Sequence, residues 1–389
     1  MNTCDRTDIA VIGGGSAGIC AAVAAARKGA KVILVERSDR LGGMGTLAMV
    51  HTFCGLYDPD VSKPPRIAND GLPAEIEKLM REATGVAPVK MGKVYVLPQH
   101  PEAFAAIAKR LADSEPNLEV RYDTTCSAIS RETDGSFLVS TGENSIHCRT
   151  IIDTSADAVV AKFLGATRMS VPADKLQRSA FIFAMREIDP AATEESFRMR
   201  LALQIVRAVA VGELPKEALG TACRASTVPG EIFFTTDLDP APSGTLMETG
   251  RALSENLVKF FRSRFPEYKN ATGPIPAALP GIRESYHWLG EYTLTAEDLI
   301  NGTNFPDTVA HATWPIELRE DTRGPKFRFF ASPVPANIPL RALKSAEIPG
   351  VFFAGRCISA THEALASVRV MGTCFATGQA AGIAAAESV

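Results

Sequence analysis

A chain of 389 residues is longer than one ordinary hydrophobic core requires, so two domains, or one domain with a large insertion, are expected. With 41 Lys and Arg against 44 Asp and Glu, the formal net charge of −3 gives no electrostatic case for nucleic acid or an anionic membrane surface. The 46% apolar content is ordinary for a soluble globular protein, and no apolar run reaches the roughly 18 residues of a membrane span.

The first elements lie in "DIAVIGGGSAGICAAVAAARKGAKVILVER". Ile9 to Ile12 is a short apolar run, read as a buried strand, and Ile19 to Lys28 is an Ala-rich helix ended by Gly29. Lys31 to Val35 is the second strand. Between the first strand and the helix, Gly13, Gly15 and Gly18 form G-x-G-x-x-G, with Ser16 and Ala17 inside the turn. Gly13 is expected to make the tight turn, Gly15 to admit a pyrophosphate, and Gly18 to let helix and strand pack closely. Glu36, 23 residues after Gly13 and followed by Arg37, is placed to accept from a ribose hydroxyl. An acid there disfavours a 2′-phosphate, so NADP is the least expected dinucleotide and the choice lies between FAD and NAD. A second glycine pair, Gly42 and Gly43, leads through Met44 and Thr46 to "LAMVHTFCG" and so to His51 and Cys54. His51 is a candidate base or covalent flavin attachment point.

"HPEAFAAIAKRLAD" is an amphipathic helix, and the alternating short runs after it, broken at "TDG" and "TGEN", predict a β-meander that includes Ala128. "IIDTSADAVVAKFLG" is a strand, a turn over Thr154, Ser155, Ala156 and Asp157, and a helix. From about Ser179 to Pro335 the pattern changes: "SAFIFAMREID" predicts a strand, and "EESFRMRLALQIVRAVAVG" and "TLMETGRALSENLVKFFRSRFP" predict helices. "RESYHWLGEYTLTAEDL" concentrates charge and aromatics. An extended strand here puts Arg283, Ser285 and His287 on one face and Glu284, Tyr286 and Trp288 on the other. In the tail, Val351 to Ala354 is a buried strand, Gly355 and Arg356 begin a turn, and Ser367 to Glu387 predicts one small-residue helix containing Gly372. No second G-x-G-x-x-G follows a strand, so no separate nicotinamide domain is expected.

The glycine doublet and the tail together resemble the FAD-dependent oxidoreductases (the FAD_oxidored group) of the glutathione-reductase/fumarate-reductase flavin fold. "AGRCISATHEA" followed by "SVRVM" resembles that family's closing motif nearly letter for letter over Ala354 to Met371. Thr154 to Asp157 stand where members carry I-D-A-T-G-D, with Ser-Ala in place of Thr-Gly. Tyr286, His287 and Trp288 replace the usual paired arginines and aliphatic residue of "GIRESRR-I-GEYTLT-ED". The resemblance implies an α/β fold: a Rossmann-like FAD-binding domain (βαβ within a three-layer arrangement) from residues 1–178 and 336–389, with an inserted α+β substrate domain, 179–335. It implies that Gly355 and Arg356 lie along the pyrophosphate and ribityl chain. Val368, Arg369 and the following amides up to Gly372 are then expected to face the flavin N1–C2=O edge, with His362 and Glu363 lining or fixing the loop.

The expected activity is hydride transfer between bound flavin and a small polar molecule such as a sugar, polyol or hydroxy acid. His51, Arg283, His287 and Arg369 are the candidate catalytic side chains. The electron acceptor or donor is left open, as is a homo-oligomer, and an NAD-linked dehydrogenase or a non-catalytic FAD-binding protein are the alternatives. The eight cysteines form no C-x-x-C pair or zinc spacing, so free thiols, no metal site and a cytoplasmic location are expected. "MNTCDRTDIAVIGGG" lacks a basic region followed by an apolar one, so no secretion signal is expected.

Overall fold

The computed structural model describes residues 4–322 and 324–389. Its centre is a parallel sheet built from distant parts of the chain. The strands Ile9–Ile12 (β1) and Val32–Val35 (β2) are joined by the helix Ser16–Arg27 (α1). After the helix Pro101–Asp113 (α2) come Leu118–Arg121 (β3) and Thr150–Asp153 (β4). The fifth strand, Val351–Phe353 (β9), arrives from near the end of the chain. The order is β9-β4-β1-β2-β3, and every pairing is parallel.

β1, β2, β4 and β9 are buried along their whole length, as a sheet covered on both faces requires. Ile9 and Val11 turn towards α1 and α2, whereas Ala10 and Ile12 turn towards a β-meander containing Ile129, Phe137, Val139 and Ile146. The result is three layers: helices, parallel sheet, meander. The expected βαβ unit and meander are both present.

The inserted region has its own antiparallel sheet. Ser179–Arg186 (β5), Thr221–Ala225 (β6), Ile232–Leu238 (β7) and Thr272–Pro276 (β8) lie in the order β6-β7-β5-β8. Glu195–Ala210 (α3) and Ser243–Arg264 (α4) cover one face over Phe181, Phe183 and Phe234. The other face, with Ala180, Ile182, Ala184 and Phe233, packs against Met49 and Val50 of the nucleotide unit. That core runs from Phe181 to Ala271. The following apolar residues from Trp288 to Leu343 instead join the core of the parallel sheet.

Two local expectations are corrected. The strand expected from Arg283 onward is confined to His287–Trp288, which pairs with Arg168–Met169. Trp288 stacks on Phe353 at 5.1 Å, and its Nε1 donates to Asp153 at 2.9 Å. This anchor draws Trp288 and His287 inward together, so the expected alternation of faces fails. The single tail helix is two helices, His362–Val368 (α5) and Met371–Ala386 (α6), with Val370 extended between them. The break brings the backbone of Gly372 against the 54–55 turn, where its N–H donates to the Cys54 carbonyl at 2.9 Å.

α6 lies directly on α1. A methyl on Gly378 would sit 2.1 Å from the Ala17 carbonyl oxygen, and one on Gly382 would sit 2.2 Å from that of Ala21. Gly378→Val is expected to cost about 3 kcal/mol of stability through overpacking and to abolish FAD uptake; denaturant unfolding and absorbance of the purified variant check both. Ala156 sits at φ +70, a left-handed conformation that glycine adopts without penalty. Ala156→Gly is expected to gain ~0.5–1 kcal/mol in the unfolding midpoint, and a loss instead would show that the turn is not strained.

Candidate active site

The C-terminal ends of β1, β2, β4 and β9 open into one cavity of about 780 Å³, the place where a sheet of this type receives its ligand. Gly13, at φ +104, makes the turn out of β1. A methyl on Gly18 would lie 1.8 Å from the Gly13 carbonyl oxygen, so strand and helix meet through bare backbone. Gly15 is different: a methyl there would touch nothing within 4 Å. Its open side is cavity. Gly15, Ser16 and Ala17 carry the first turn of α1 to the wall, and no side chain caps this helix end. Unspent backbone N–H groups and the helix dipole therefore face the space, which suits a pyrophosphate.

The rest of this end is rigidly held. Glu36 Oε2 accepts from the Gly14 N–H at 2.6 Å, and Oε1 accepts from the Ser38 N–H at 2.8 Å. Arg37, Gly43 and Met44 share the wall. The Thr154 hydroxyl donates to the Gly13 carbonyl at 2.7 Å, tying the β4 turn to the glycine turn. Ser155 and Ala156 follow it along the wall. Asp157 accepts from Arg356 Nη2 at 2.7 Å and from Ser285 Oγ at 2.5 Å. Burial raises the Asp157 pKa, but Arg356 outweighs it and leaves the carboxyl below its ordinary range. Gly355 completes this part of the wall beside α1.

Seven of the expected cofactor contacts besides Gly18 lie off the wall. Gly42, at φ +105, shapes its turn and donates to the Gly14 carbonyl. The Thr46 hydroxyl turns inward to the Leu41 carbonyl at 3.0 Å. Ala128 lies on the meander, and Thr124, Thr125 and Cys126 line the cavity in its stead. His362 holds Glu284 at 2.8 Å, and Glu363 holds Arg328 at 3.2 Å. Val368 is fully buried in the core and Gly372 packs on the 54–55 backbone, leaving Val370 and Met371 to present the start of α6 to the cavity.

The far end of the cavity brings together His51, Arg283 and Arg369 with Arg224, Asp237, Glu317 and Arg319. His51 stacks on Phe233 at 4.7 Å, and its Nδ1 lies 3.1 Å from the Met49 carbonyl. A carbonyl can only accept, so Nδ1 carries the hydrogen and Nε2 keeps its lone pair. Burial pushes the His51 pKa down to about 4. Arg283 donates to Asp237 Oδ1 at 2.7 Å, and Arg319 reaches Asp237 Oδ2 and Glu317 Oε1, both at 2.6 Å. Glu317 Oε2 also accepts from Trp314 Nε1 at 2.8 Å. Burial raises the carboxyl pKa of both Asp237 and Glu317, yet the arginines hold both below the ordinary range. Arg369 Nη2 has only neutral acceptors, the Gln177 amide oxygen at 3.2 Å and the Glu317 carbonyl at 3.3 Å.

His287 is not in this wall. It is buried behind it, with neither ring nitrogen partnered among the described residues, and burial lowers its pKa. The Trp288 anchor is the reason. Asp237 and Arg319 were not singled out from the sequence because they sit in no motif. Glu317 could have been reached through Trp314, one of two tryptophans in the chain and three residues away. Among the described residues no group of three or more His, Cys, Asp or Glu side chains is placed to hold a metal, and no helix is long and apolar enough to cross a membrane.

A search of curated proteins found no match to this chain. Among solved structures, p-nitrophenol 4-monooxygenase PnpA from Pseudomonas putida DLL-E4 is 14% identical over 72% of this chain and 68% of its own, with a TM-score of 0.44. A geranylgeranyl bacteriochlorophyll reductase-like protein from Thermoplasma acidophilum is 13% identical over 99% of this chain and 78% of its own, with a TM-score of 0.46. PqsL, a probable FAD-dependent monooxygenase from Pseudomonas aeruginosa, is 13% identical over 95% and 83%, with a TM-score of 0.43. Likeness this distant says nothing of substrate. The family model described as FAD dependent oxidoreductase, by contrast, matches residues 8–389. With a dinucleotide cavity assembled from the two parts of the chain that carry the expected motifs, the protein belongs to the FAD dependent oxidoreductase family and is an FAD-dependent enzyme.

Proposed function

We propose that this enzyme moves a hydride between its flavin and a small polar substrate bound at the His51–Arg283 end of the cavity. In this assignment residues 1–178 and 336–389 hold the cofactor; of the expected insert 179–335, the part with its own core, Phe181 to Ala271, covers the substrate, and the part from Trp288 packs with the nucleotide unit. The fit to FAD rests on the open face of Gly15 beneath the uncapped start of α1, and on Glu36 at the end of β2. The start of α6 at Val370 and Met371 supplies a second positive helix end, suited to the flavin N1–C2=O edge. Bound FAD supplies a two-electron centre that no side chain provides.

The observation that carries the catalytic assignment is His51. A substrate carbon that gives up a hydride leaves its hydroxyl proton to be removed, and His51 Nε2 is a neutral acceptor on the wall. Phe233 and the Met49 carbonyl fix the ring. Arg283, locked to Asp237, orients the oxygen-bearing end of the substrate. With one dinucleotide motif, electrons enter or leave through this cavity or through a transient partner. We place the enzyme in the cytoplasm, in keeping with eight unpaired thiols.

Anaerobic mixing of the purified holoenzyme with sugars, polyols and hydroxy acids is expected to bleach the flavin for at least one class. For that compound, His51→Asn is expected to slow bleaching by ~10²–10⁴ while FAD content stays constant; an unchanged rate removes His51 from the role. The folded His51 pKa of about 4 keeps the ring neutral at higher pH. The rate is therefore expected to fall only as pH drops through about 4, not near the ordinary histidine value of about 6.5. The same lowered pKa makes His51 a source of stability that is fully present above about 6.5 and is lost as pH falls from there towards the folded value.

A further inference from the structure

The charges on the cavity wall are unevenly shared between its two ends. At the dinucleotide end, Glu36 and Asp157 stand against Arg37 and Arg356. At the other end, Arg224, Arg283, Arg319 and Arg369 stand against Asp237 and Glu317 on the wall. Both of those carboxylates are already committed. Asp237 divides its oxygens between Arg283 and Arg319, and Glu317 divides its own between Arg319 and the Trp314 indole. Of the three guanidinium groups around Asp237 and Glu317, Arg283 and Arg319 bond a carboxylate, and Arg369 bonds none among the described residues.

The surroundings of Arg369 point the same way. Its Nη2 touches only an amide oxygen and a backbone carbonyl, at 3.2 and 3.3 Å, and its Nε is closed off from solvent with no acceptor among the described residues. Glu317 and Glu284 act on this guanidinium through space, but neither carboxylate bonds it, and a buried charge without a bonded partner is costly. An anion entering the cavity beside Arg369 relieves that cost.

We propose that the substrate end of this cavity is a carboxylate site, with Arg369 as the direct partner of the substrate's carboxylate and the surplus positive charge of the wall as its attractant. The proposal rests on the cavity being the active site of a flavin enzyme, and it narrows the substrate class to organic acids over neutral sugars and polyols. Arg283 and Arg319, held by Asp237, keep the network rigid, so the carboxylate meets a pre-formed partner. The guanidinium nitrogens of Arg369 that are not closed off can donate to a carboxylate oxygen entering from the cavity.

The test is equilibrium titration of the oxidised holoenzyme, followed by the shift of the flavin absorption bands. The probes are glycolate against ethylene glycol, mandelate against 1-phenyl-1,2-ethanediol, and inorganic phosphate. At least one acid is expected to bind about tenfold or more tightly than its neutral diol, with the preference shrinking as salt rises. Arg369→Gln is expected to remove that preference while the protein keeps its FAD and its unfolding midpoint. If that variant does not fold, the acid-against-diol comparison in the unaltered enzyme decides alone. Diols binding as tightly as acids, no acid binding, or an acid preference intact in Arg369→Gln would overturn the assignment, and phosphate binding more tightly than every acid would replace carboxylate by phosphate. A protein that takes up no FAD sinks the underlying function instead, so the two failures are distinguishable.

Discussion

The close packing of α1 on α6 is the constraint on which the site depends. Gly378 and Gly382 present bare backbone to the carbonyls of Ala17 and Ala21, and only glycine fits at that separation. This contact seats the last helix of the chain beside the first. It also brings the start of α1, the Gly355–Arg356 turn and the start of α6 to one cavity. Two helix starts then reach the wall of the same space, the first with no side-chain cap and the second with its Gly372 N–H already given to the Cys54 carbonyl.

The charges on the cavity wall differ between its two ends. At the dinucleotide end, the glycine turn brings backbone to the wall and the side-chain charges balance. At the far end, side chains dominate and cations exceed anions. Asp237 is the organising group there, since a single carboxylate fixes both Arg283 and Arg319. Burial keeps the His51 ring neutral and its Nε2 free to accept a proton.

The insert contributes through its unshielded face. One side of its sheet is sealed by α3 and α4 over an aromatic core, whereas the other, with Ile182 and Phe233, rests on Met49 and Val50. Phe233 then supports His51, so the candidate base is positioned by a contact between the nucleotide unit and the insert.

The glycine turn with its flanking strands, Glu36 and the tail motif were legible because each is a local pattern whose spacing carries the physics: glycine where backbone must approach a ligand, apolar runs where a sheet is covered on both faces. The same locality explains what was missed. Thr46, Ala128, His362, Glu363, Val368 and Gly372 neighbour the right residues in sequence, but a turn or helix rotates them off the cavity wall. His287 was placed by alternation in a strand, and the bond from Trp288 to Asp153, 135 positions apart, overrode it. Asp237 and Arg319 carry no local signal because their meaning lies in each other, 82 positions away. The sequence by itself determined the nucleotide-binding scaffold and its cofactor. Only the tertiary structure decided which charges face one another at the far end of the cavity, since ion pairing depends on distance in space and not along the chain.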